Sequence, residues 1–250
     1  MKRYKNYIFD LYGTLVDILT DEEDPGLWKW LAAFYSCYGA KWDPAELKAR
    51  YHSMVKDQEA RLSARFGWEY PEIKIEDVFR DLLTEKRSNA LAVSGPLGFT
   101  DERTFEFAVA CGFRVRSRIK LEAYSGAAGV LRKLKEEGAT VHLLSNAQLV
   151  FTLPELYECG LADLFDSVYI SSDKGMKKPQ KEFMELLLKE QGLDVKDCVM
   201  VGNDFSTDVA VAQAVGMDAI FINSFGYDKD RIDKENTCGA AVVRDITQIL

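Results

Sequence analysis

The chain has 250 residues, of which 47% are hydrophobic and 29% are charged, with a formal net charge of −8 at pH 7. That composition excludes a disordered, collagen-like or low-complexity protein, and the acidic balance argues against nucleic acid as the main partner. No apolar run approaches the ~20 residues that a membrane span needs, and the N-terminal residues lack the pattern of a signal peptide. We therefore predict a cytoplasmic globular protein with no membrane partner.

The cysteines and histidines show no recognisable metal-binding or nucleophile pattern. The 5 cysteines are odd in number and never form a Cys-x-x-Cys pair, and with only 2 histidines no zinc-ligand cluster can be assembled by spacing. We interpret the cysteines as free thiols in a reducing compartment. His142 lies inside an apolar run, so we expect it in the core or at its edge.

The N-terminal half changes from one predicted strand to a long helical stretch. Residues 4–9 form a short apolar run that predicts a buried strand ending at Asp10. Between residues 18 and 118 no further strand pattern occurs, and Asp43-Pro44-Ala45-Glu46 has the cap, proline and acid of a helix start. Apolar residues at helical spacing predict further helices around 28–38, 47–66 and 78–83, and a helix capped by Thr100 that runs to Cys111. We therefore predict an all-helical module at 18–118.

The remainder of the chain alternates between short apolar runs and helix-like segments. Strands are predicted at 140–144, 167–170, 198–201 and 219–222, and helices at 127–137, 149–158, 181–191 and 207–215. A glycine follows each of these helical segments, where a left-handed residue commonly ends a helix. The alternation predicts an α/β fold, a doubly wound parallel sheet with helices on both faces, into which the helical module is inserted after the first strand.

Polar residues follow the predicted strands, at the edge where doubly wound sheets bind ligands. Asp10 ends the first strand just before the turn Gly13-Thr14, so it is a candidate nucleophile supported by backbone N–H groups. Ser145 and Asn146 end the strand at 140–144, where a hydroxyl and an amide could hold an anionic group.

Two later motifs supply a cation and further carboxylates. Lys178 precedes Pro179, and Asn203, Asp204 and Asp208 follow a strand and open a helix. A nucleophilic carboxylate, an anion-holding serine, a lysine and an acidic pair form a coherent phosphoryl-transfer site that binds Mg²⁺. Taken singly, each motif could instead have a purely structural role, as a turn or as the cap at the start of a helix.

Together the motifs resemble those of the haloacid dehalogenase-superfamily hydrolases that carry a helical cap after the first motif. The matching stretches are YIFDLYGTLVD (7–17), HLLSNA (142–147), GMKKPQKEF (175–183) and VGNDFSTDVAVAQAVGM (201–217). The resemblance implies a Rossmann-like catalytic core at 1–17 and 119–250, and a mobile helical cap at 18–118. It also implies a covalent intermediate on an aspartate and a small phosphorylated substrate. We expect a monomer or a weak homodimer.

The resemblance also implies a role for each matching catalytic residue. Asp10 would be the nucleophile and Thr14 would belong to the same motif. Ser145 and Asn146 would bind the transferring group, and Lys178 would pair with the nucleophile and with that group.

The acidic fourth motif would supply metal ligands. The resemblance implies that Asp10, the backbone carbonyl of Tyr12 and either Asn203 or Asp204 coordinate Mg²⁺, while Asp208 completes the site. The family often has an aspartate where this chain has Asn203, so which of the two adjacent side chains touches the metal stays open.

Tyr12 is a departure from the phosphatase pattern of the family, which usually has a second aspartate here as acid and base. A phenol with an ordinary pKa of about 10 can protonate a leaving alkoxide but is a poor base for activating water. We therefore expect Tyr12 to slow ordinary phosphatase turnover.

Tyrosine at this position is also found in the 2-haloacid dehalogenase branch, which displaces halide without Mg²⁺. Asp204 and Asp208 are retained here, and an acidic cluster with no cation would be costly beside a carboxylate nucleophile. We therefore predict a Mg²⁺-dependent hydrolase that acts on a small phosphomonoester through an aspartyl-phosphate at Asp10. The alternatives are a 2-haloacid dehalogenase-type hydrolase and a non-catalytic phosphate-binding regulator.

Overall fold

The computed structural model describes residues 2–87 and 102–250. Thr100, the predicted helix cap, lies outside these residues. The strands are β1 (Asn6–Phe9), β2 (Val16–Thr20), β3 (Arg118–Ala123), β4 (Thr140–Ser145), β5 (Ser167–Ile170), β6 (Cys198–Gly202), β7 (Asp218–Ile222) and β8 (Ala241–Val243). The α-helices are α1 (Pro25–Cys37), α2 (Pro44–Phe66), α3 (Ile75–Lys86), α4 (Glu102–Ser117), α5 (Ala127–Glu136), α6 (Leu149–Glu158), α7 (Ser171–Lys174), α8 (Lys181–Gln191), α9 (Ala210–Ala214) and α10 (Lys229–Glu235). In the described part of the chain, no helix has both the length and the apolar character needed to cross a membrane.

The chain packs into two compact units. We call the first the core unit, formed by Met1–Ile18, Trp68–Glu72 and Leu121–Leu250, and the second the helical unit, formed by Leu19–Gly67 and Ile73–Lys120. These limits differ from the predicted ones mainly at Trp68–Glu72, which the sequence assigns to the helical module. This segment groups with the core unit because its backbone pairs with the loop that precedes Lys178.

The core unit is built on a six-stranded sheet with the strand order β5-β4-β1-β6-β7-β8. Every neighbouring pair is parallel, and β1 is central, with Asn6 in register with Thr140 of β4 and Cys198 of β6. The strand order reverses at β1, and ligands of such sheets bind in the crevice at the carboxyl ends of the strands at this switch point. The predicted α/β fold with a doubly wound parallel sheet is therefore confirmed.

Helices cover the central strands on both faces, which explains the continuous apolar character of their sequences. Tyr7 and Phe9 of β1 pack in one core cluster with Leu131 of α5, whereas Ile8 packs in another with Phe183 of α8. The side chains of β1 thus alternate between two cores rather than between core and solvent.

The sequence prediction of no strand between residues 18 and 118 is wrong at its limits, where β2 and β3 lie. Two further elements that the sequence missed, β8 and α10, have little apolar pattern. Strand β8 is three residues long with two of them exposed, and α10 buries none of its side chains. The predicted helix at 207–215 is instead a π-helical turn, Phe205–Val209, that runs into α9. The wider turn allows the carboxylate of Asp208 to bond back to the backbone N–H groups of Asn203 and Asp204.

The helical unit contains α1 to α4, and the start of α2 follows the sequence prediction. Asp43 caps α2 by accepting hydrogen bonds from the backbone N–H groups of Ala45 at 2.9 Å and Glu46 at 3.1 Å. Aromatic rings fill the interior of the unit: Phe79 of α3 lies 5.8 Å from Tyr51 of α2 between ring centroids. These aromatic residues therefore serve helix packing.

His142 of β4 is buried, as predicted, and both of its ring nitrogens have hydroxyl partners. Nε2 lies 2.8 Å from Oγ1 of Thr140, and Nδ1 lies 2.7 Å from Oγ of Ser167. Burial lowers the pKa of His142, while Asp166 opposes and Lys135 reinforces that change. The native state therefore holds a neutral imidazole under conditions in which the unfolded chain binds a proton.

We expect acidification to destabilise the protein through His142. Below the unfolded-state pKa of about 6.5, the unfolded chain binds a proton that the native state does not, so stability falls by at most about 1.4 kcal/mol per pH unit. Melting temperatures of the wild type and His142→Gln between pH 7.5 and 5.5 would test this expectation. The wild type should lose more stability than the variant, and equal losses would contradict the assignment.

Candidate active site

Lys178 is a buried ammonium that joins three strand ends. Its Nζ atom donates hydrogen bonds to Oδ1 of Asp10, Oδ1 of Asp208 and the backbone carbonyl of Leu144, each at 2.7 Å. An ammonium has three N–H donors, so all of them are used. The Lys178 side chain is 1% exposed, and these acceptors follow or belong to β1, β6 and β4.

The charges of this cluster stabilise one another. Burial alone lowers the pKa of Lys178, but the attraction and hydrogen bonds of Asp10 and Asp208 outweigh it, so the pKa lies above its ordinary value. Burial also raises the pKa of Asp208, and the nearby Lys178 opposes that increase. Lys178 therefore stays protonated at neutral pH and supplies the positive charge of the site.

Asp10 is held at the end of β1 by both its backbone and its side chain. Its N–H donates to the carbonyl of Val201 at 2.9 Å, which extends the pairing between β1 and β6. The hydroxyl of Thr14 lies 3.1 Å from Oδ2 of Asp10 and 3.1 Å from Oδ1 of Asn203. Thr14 therefore brings Asp10 and Asn203 together at the carboxyl end of β1.

Gly13 permits this close approach. Its φ is +80°, and a Cβ atom there would lie 2.5 Å from Nδ2 of Asn203. An L-residue at position 13 would therefore be strained and would displace the Asn203 side chain.

Asp208 and Asp204 have different environments although both belong to the predicted acidic motif. Oδ2 of Asp208 accepts hydrogen bonds from the backbone N–H groups of Asn203 at 3.0 Å and Asp204 at 3.1 Å. A Cβ on Gly202 would lie 2.2 Å from the same oxygen, so only glycine fits there. Asp204 is exposed and accepts from the N–H and hydroxyl of Ser206, each at 2.6 Å. Asp204 is a turn cap, which argues against its predicted role as a metal ligand.

Ser145 and Asn146 use their side chains differently. The amide of Asn146 holds the backbone of Lys178: Oδ1 accepts from its N–H at 2.8 Å and Nδ2 donates to its carbonyl at 2.9 Å. Ser145 is fully buried, and its hydroxyl has no hydrogen-bond partner among the described residues. Buried hydroxyls are normally paired, so this one is suited to a polar ligand atom.

The hydroxyl of Tyr12 points to helix α6. It donates to the carboxylate of Glu155, which is buried, and lies 3.4 Å from the hydroxyl of Thr152. The sequence analysis missed Glu155 and Thr152. In the sequence, Thr152 and Glu155 are recognisable only as two polar residues three positions apart, on one face of the helix. That spacing does not indicate a contact with Tyr12.

Three oxygen-bearing groups could face a cation here. Among residues 2–87 and 102–250, no cluster of three or more His, Cys, Asp and Glu side chains could hold a metal ion. The candidate donors are the Asp10 carboxylate and the Asn203 amide oxygen, each 3.1 Å from the Thr14 hydroxyl, and the Tyr12 backbone carbonyl, which the family resemblance adds. Such hard oxygen donors suit Mg²⁺, which often takes only one or two carboxylates from the protein.

The fold and the site together define an α/β enzyme with an aspartate–lysine pair at the switch point of its sheet. A family model for haloacid dehalogenase-like hydrolases matches residues 4–216. The chain belongs to this family and is a hydrolase. The family resemblance inferred from the four motifs is therefore confirmed.

Several curated relatives are phosphatases. The chain is 28% identical over 180 residues to the glyceraldehyde 3-phosphate phosphatase of Methanothermobacter thermautotrophicus, which covers 69% of this chain and 78% of that protein. It is 30% identical over 148 residues to the phosphoserine phosphatase of Thermus thermophilus, which covers 59% of this chain and 54% of that protein. The chain thus spans about half the length of the second relative.

Solved structures share the fold over the whole chain. A 2-haloacid dehalogenase from Pseudomonas syringae pv. Tomato DC3000 has a TM-score of 0.63 at 19% identity, covering 98% of this chain and 96% of that one. A predicted phosphoglycolate phosphatase from Haemophilus somnus 129pt has a TM-score of 0.56 at 17% identity, covering 100% of this chain and 97% of that one. At these identities the likeness concerns the fold alone.

Replacing Lys178 with methionine should destabilise the protein in a pH-dependent way. The variant leaves the buried carboxylates of Asp10 and Asp208 without their cation, which costs about 3–5 kcal/mol. Because burial raises the pKa of Asp208, acidification lets this group take up a proton in the folded variant. The deficit, meaning the loss of unfolding free energy relative to the wild type, should therefore be smaller at pH 5.5 than at pH 8. Urea unfolding at both pH values measures the deficit.

The double variant Lys178→Met/Asp208→Asn is the matched control for this expectation. It removes one carboxylate together with the cation, so its deficit at pH 8 should be smaller than that of Lys178→Met. A Lys178→Met deficit that stays constant from pH 8 to pH 5.5 would contradict the charge argument.

Proposed function

We propose that this hydrolase is a Mg²⁺-dependent phosphatase that acts on a small phosphomonoester, with Asp10 as its nucleophile. The observation that carries the proposal is the buried, unpartnered hydroxyl of Ser145. Ser145 lies in the chain between Leu144, whose carbonyl accepts from the Lys178 ammonium, and Asn146, whose amide holds the Lys178 backbone. An oxygen-rich anion such as a phosphoryl group would accept from the Ser145 hydroxyl and would be attracted by the positive charge of Lys178. The phosphatase activities of the curated relatives support the same choice.

The residues of the site suit a two-step transfer. A carboxylate oxygen of Asp10 attacks phosphorus, the bond to the ester oxygen breaks, and the substrate leaves as an alkoxide that takes a proton. Water then attacks the aspartyl-phosphate, which releases inorganic phosphate and restores the Asp10 carboxylate. Throughout, the Ser145 hydroxyl donates to a phosphoryl oxygen, and the Lys178 charge offsets the negative charge of the phosphoryl group.

Asp10 and Asn203 would hold Mg²⁺, with the Tyr12 carbonyl as a third protein ligand. The Thr14 hydroxyl, 3.1 Å from a side-chain oxygen of each, supports this assignment because it places both oxygens around one point. When bound, the metal would neutralise phosphoryl charge. Asp204 is not included because its carboxylate caps the turn at Ser206.

Tyr12 would not serve as an efficient acid and base in this scheme. Its hydroxyl donates to Glu155, so its proton is directed to α6 rather than to a leaving group. The alkoxide then takes its proton from water, and water attacks the intermediate without a carboxylate base beside it. We therefore expect slow turnover.

Dehalogenation is the second candidate, favoured by Tyr12 at the position of the missing aspartate and by the neutral side chain of Asn203. In that reaction an Asp10 oxygen would attack carbon, halide would leave, and water would hydrolyse the resulting ester. A phosphate-binding regulator would use the same anion contacts without turnover.

The phosphatase proposal is tested by measuring phosphate release from a panel of phosphomonoesters, with Mg²⁺ and with EDTA, beside halide release from 2-haloacids. We expect Mg²⁺-dependent phosphate release that falls by about 10⁴-fold or more in Asp10→Asn, because the amide is not a nucleophile. Halide release that persists in EDTA would show that the protein is a dehalogenase and not a phosphatase. Activity that is unchanged in Asp10→Asn would refute both nucleophilic schemes.

Replacing Tyr12 with aspartate should raise phosphomonoesterase turnover. A carboxylate at this position restores an acid and base, which typically contributes about 10²–10⁴-fold. Tyr12→Phe is the control, since it removes the hydrogen bond to Glu155 without adding a titrating group, and its kcat should stay near that of the wild type. An unchanged or lower kcat in a folded Tyr12→Asp protein would count against the missing-base argument.

A further inference from the structure

A five-residue segment of the chain between α2 and α3 pairs with the loop that carries Lys178. We call this segment, Trp68–Glu72, the strap, and residues 175–178 the lysine loop. Pro71 forms an antiparallel bridge with Met176. The N–H of Glu72 donates to the carbonyl of Gly175 at 2.9 Å, and the N–H of Lys177 donates to the carbonyl of Tyr70 at 3.0 Å. The strap is therefore a short added strand along the lysine loop.

The side chain of Glu72 reaches a second loop, the turn after β4 at residues 146–148. Its Oε1 accepts from the side-chain amide of Gln148 at 3.1 Å, and its Oε2 accepts from the hydroxyl of Ser171 at 3.2 Å. The same Ser171 oxygen accepts from the N–H of Ala147 at 2.8 Å. One carboxylate thus contacts the turn directly through Gln148 and indirectly through Ser171.

These two loops carry the groups assigned to phosphoryl binding. The turn after β4 begins next to Ser145, and the lysine loop ends at Lys178. The amide of Asn146 already joins the loops by holding the Lys178 backbone. Glu72 joins them at a second point through its backbone and its carboxylate. Two links define the orientation of one loop relative to the other better than a single link does.

We propose that Glu72 is a positioning residue that sets the Ser145 hydroxyl relative to the Lys178 ammonium. This role rests on the proposed phosphatase function, since it concerns the hydroxyl that would hold a phosphoryl oxygen and the cation that would offset the phosphoryl charge. A shift of the two loops would misplace both groups at the reacting centre, where a displacement of about 1 Å can cost 10²-fold in rate.

The chemistry of the contacts predicts which replacement preserves the role. Gln148 and Ser171 each donate to the carboxylate, one through an amide N–H and the other through a hydroxyl. Glutamine would keep an acceptor oxygen for Gln148 and donate its own N–H to Ser171. The Ser171 proton could then turn to the carbonyl of Ala147, which lies 3.1 Å away. Alanine offers neither contact, so Glu72→Gln should retain the positioning that Glu72→Ala loses.

Hydrogen exchange and kinetics together test the proposal on the full chain. In Glu72→Ala, we expect about tenfold faster amide exchange in peptides that cover 146–149 and 175–178, because the N–H groups of Ala147 and Lys177 lose protection. With a phosphomonoester substrate, kcat should fall by about tenfold or more while KM changes by less than about threefold. Glu72→Gln should be close to the wild type in both measurements.

Glu69→Ala is the matched control, since it removes an exposed carboxylate from the same strap. Unchanged exchange in both loops of Glu72→Ala, or equal effects in Glu69→Ala and Glu72→Ala, would overturn the proposal. A failure of Glu72→Gln to restore exchange would overturn it as well. If the wild type hydrolyses no phosphomonoester, the proposed function fails, and the exchange data alone decide whether Glu72 positions the loops.

Discussion

The arrangement of the site depends on one buried cation. The Lys178 ammonium is the shared partner of two carboxylates and a backbone carbonyl, each at 2.7 Å. Those acceptors come from the ends of β1, β4 and β6, so a single side chain fixes the mutual positions of three strand ends. Burying Asp10 and Asp208 would be unfavourable without this partner, and burying Lys178 would be unfavourable without them. The residues proposed for catalysis therefore also balance one another's charge within the core unit.

This interaction imposes requirements on the backbone around it. Asp208 can reach Lys178 only if Gly202 has no side chain, since a Cβ there would lie 2.2 Å from its carboxylate. The π-helical turn Phe205–Val209 brings Asp208 back towards β6, and the ring of Phe205 stacks on Phe221 at 3.9 Å. The lysine loop is held from the other side by Asn146. The glycine at position 202 and the π-helical turn are thus both explained by the ion pair between Asp208 and Lys178.

Local signals in the sequence were sufficient for five strands of the six-stranded sheet and for the motifs whose residues meet around Lys178. The apolar runs at β4 to β7, the cap at Asp43 and the order of the four motifs all depend on residues close together in the chain. The strap could not be predicted, because Glu72 meets Gln148 across 76 positions and its own sequence reads as a loop. The contact of Tyr12 with Glu155 was missed for the same reason, since it joins positions 143 apart.

The structure also changes the argument for a metal. The sequence argument assumed that Asp204 and Asp208 form an uncompensated acidic cluster, yet Asp208 pairs with Lys178 and Asp204 is exposed. Charge repulsion therefore does not demand a cation, and the proposed Mg²⁺ site rests on its oxygen donors instead. With Asn203 in place of a second carboxylate, the protein contributes little negative charge to such a site. The phosphoryl group of the substrate would then supply the missing negative ligand, so metal and substrate should strengthen each other's binding.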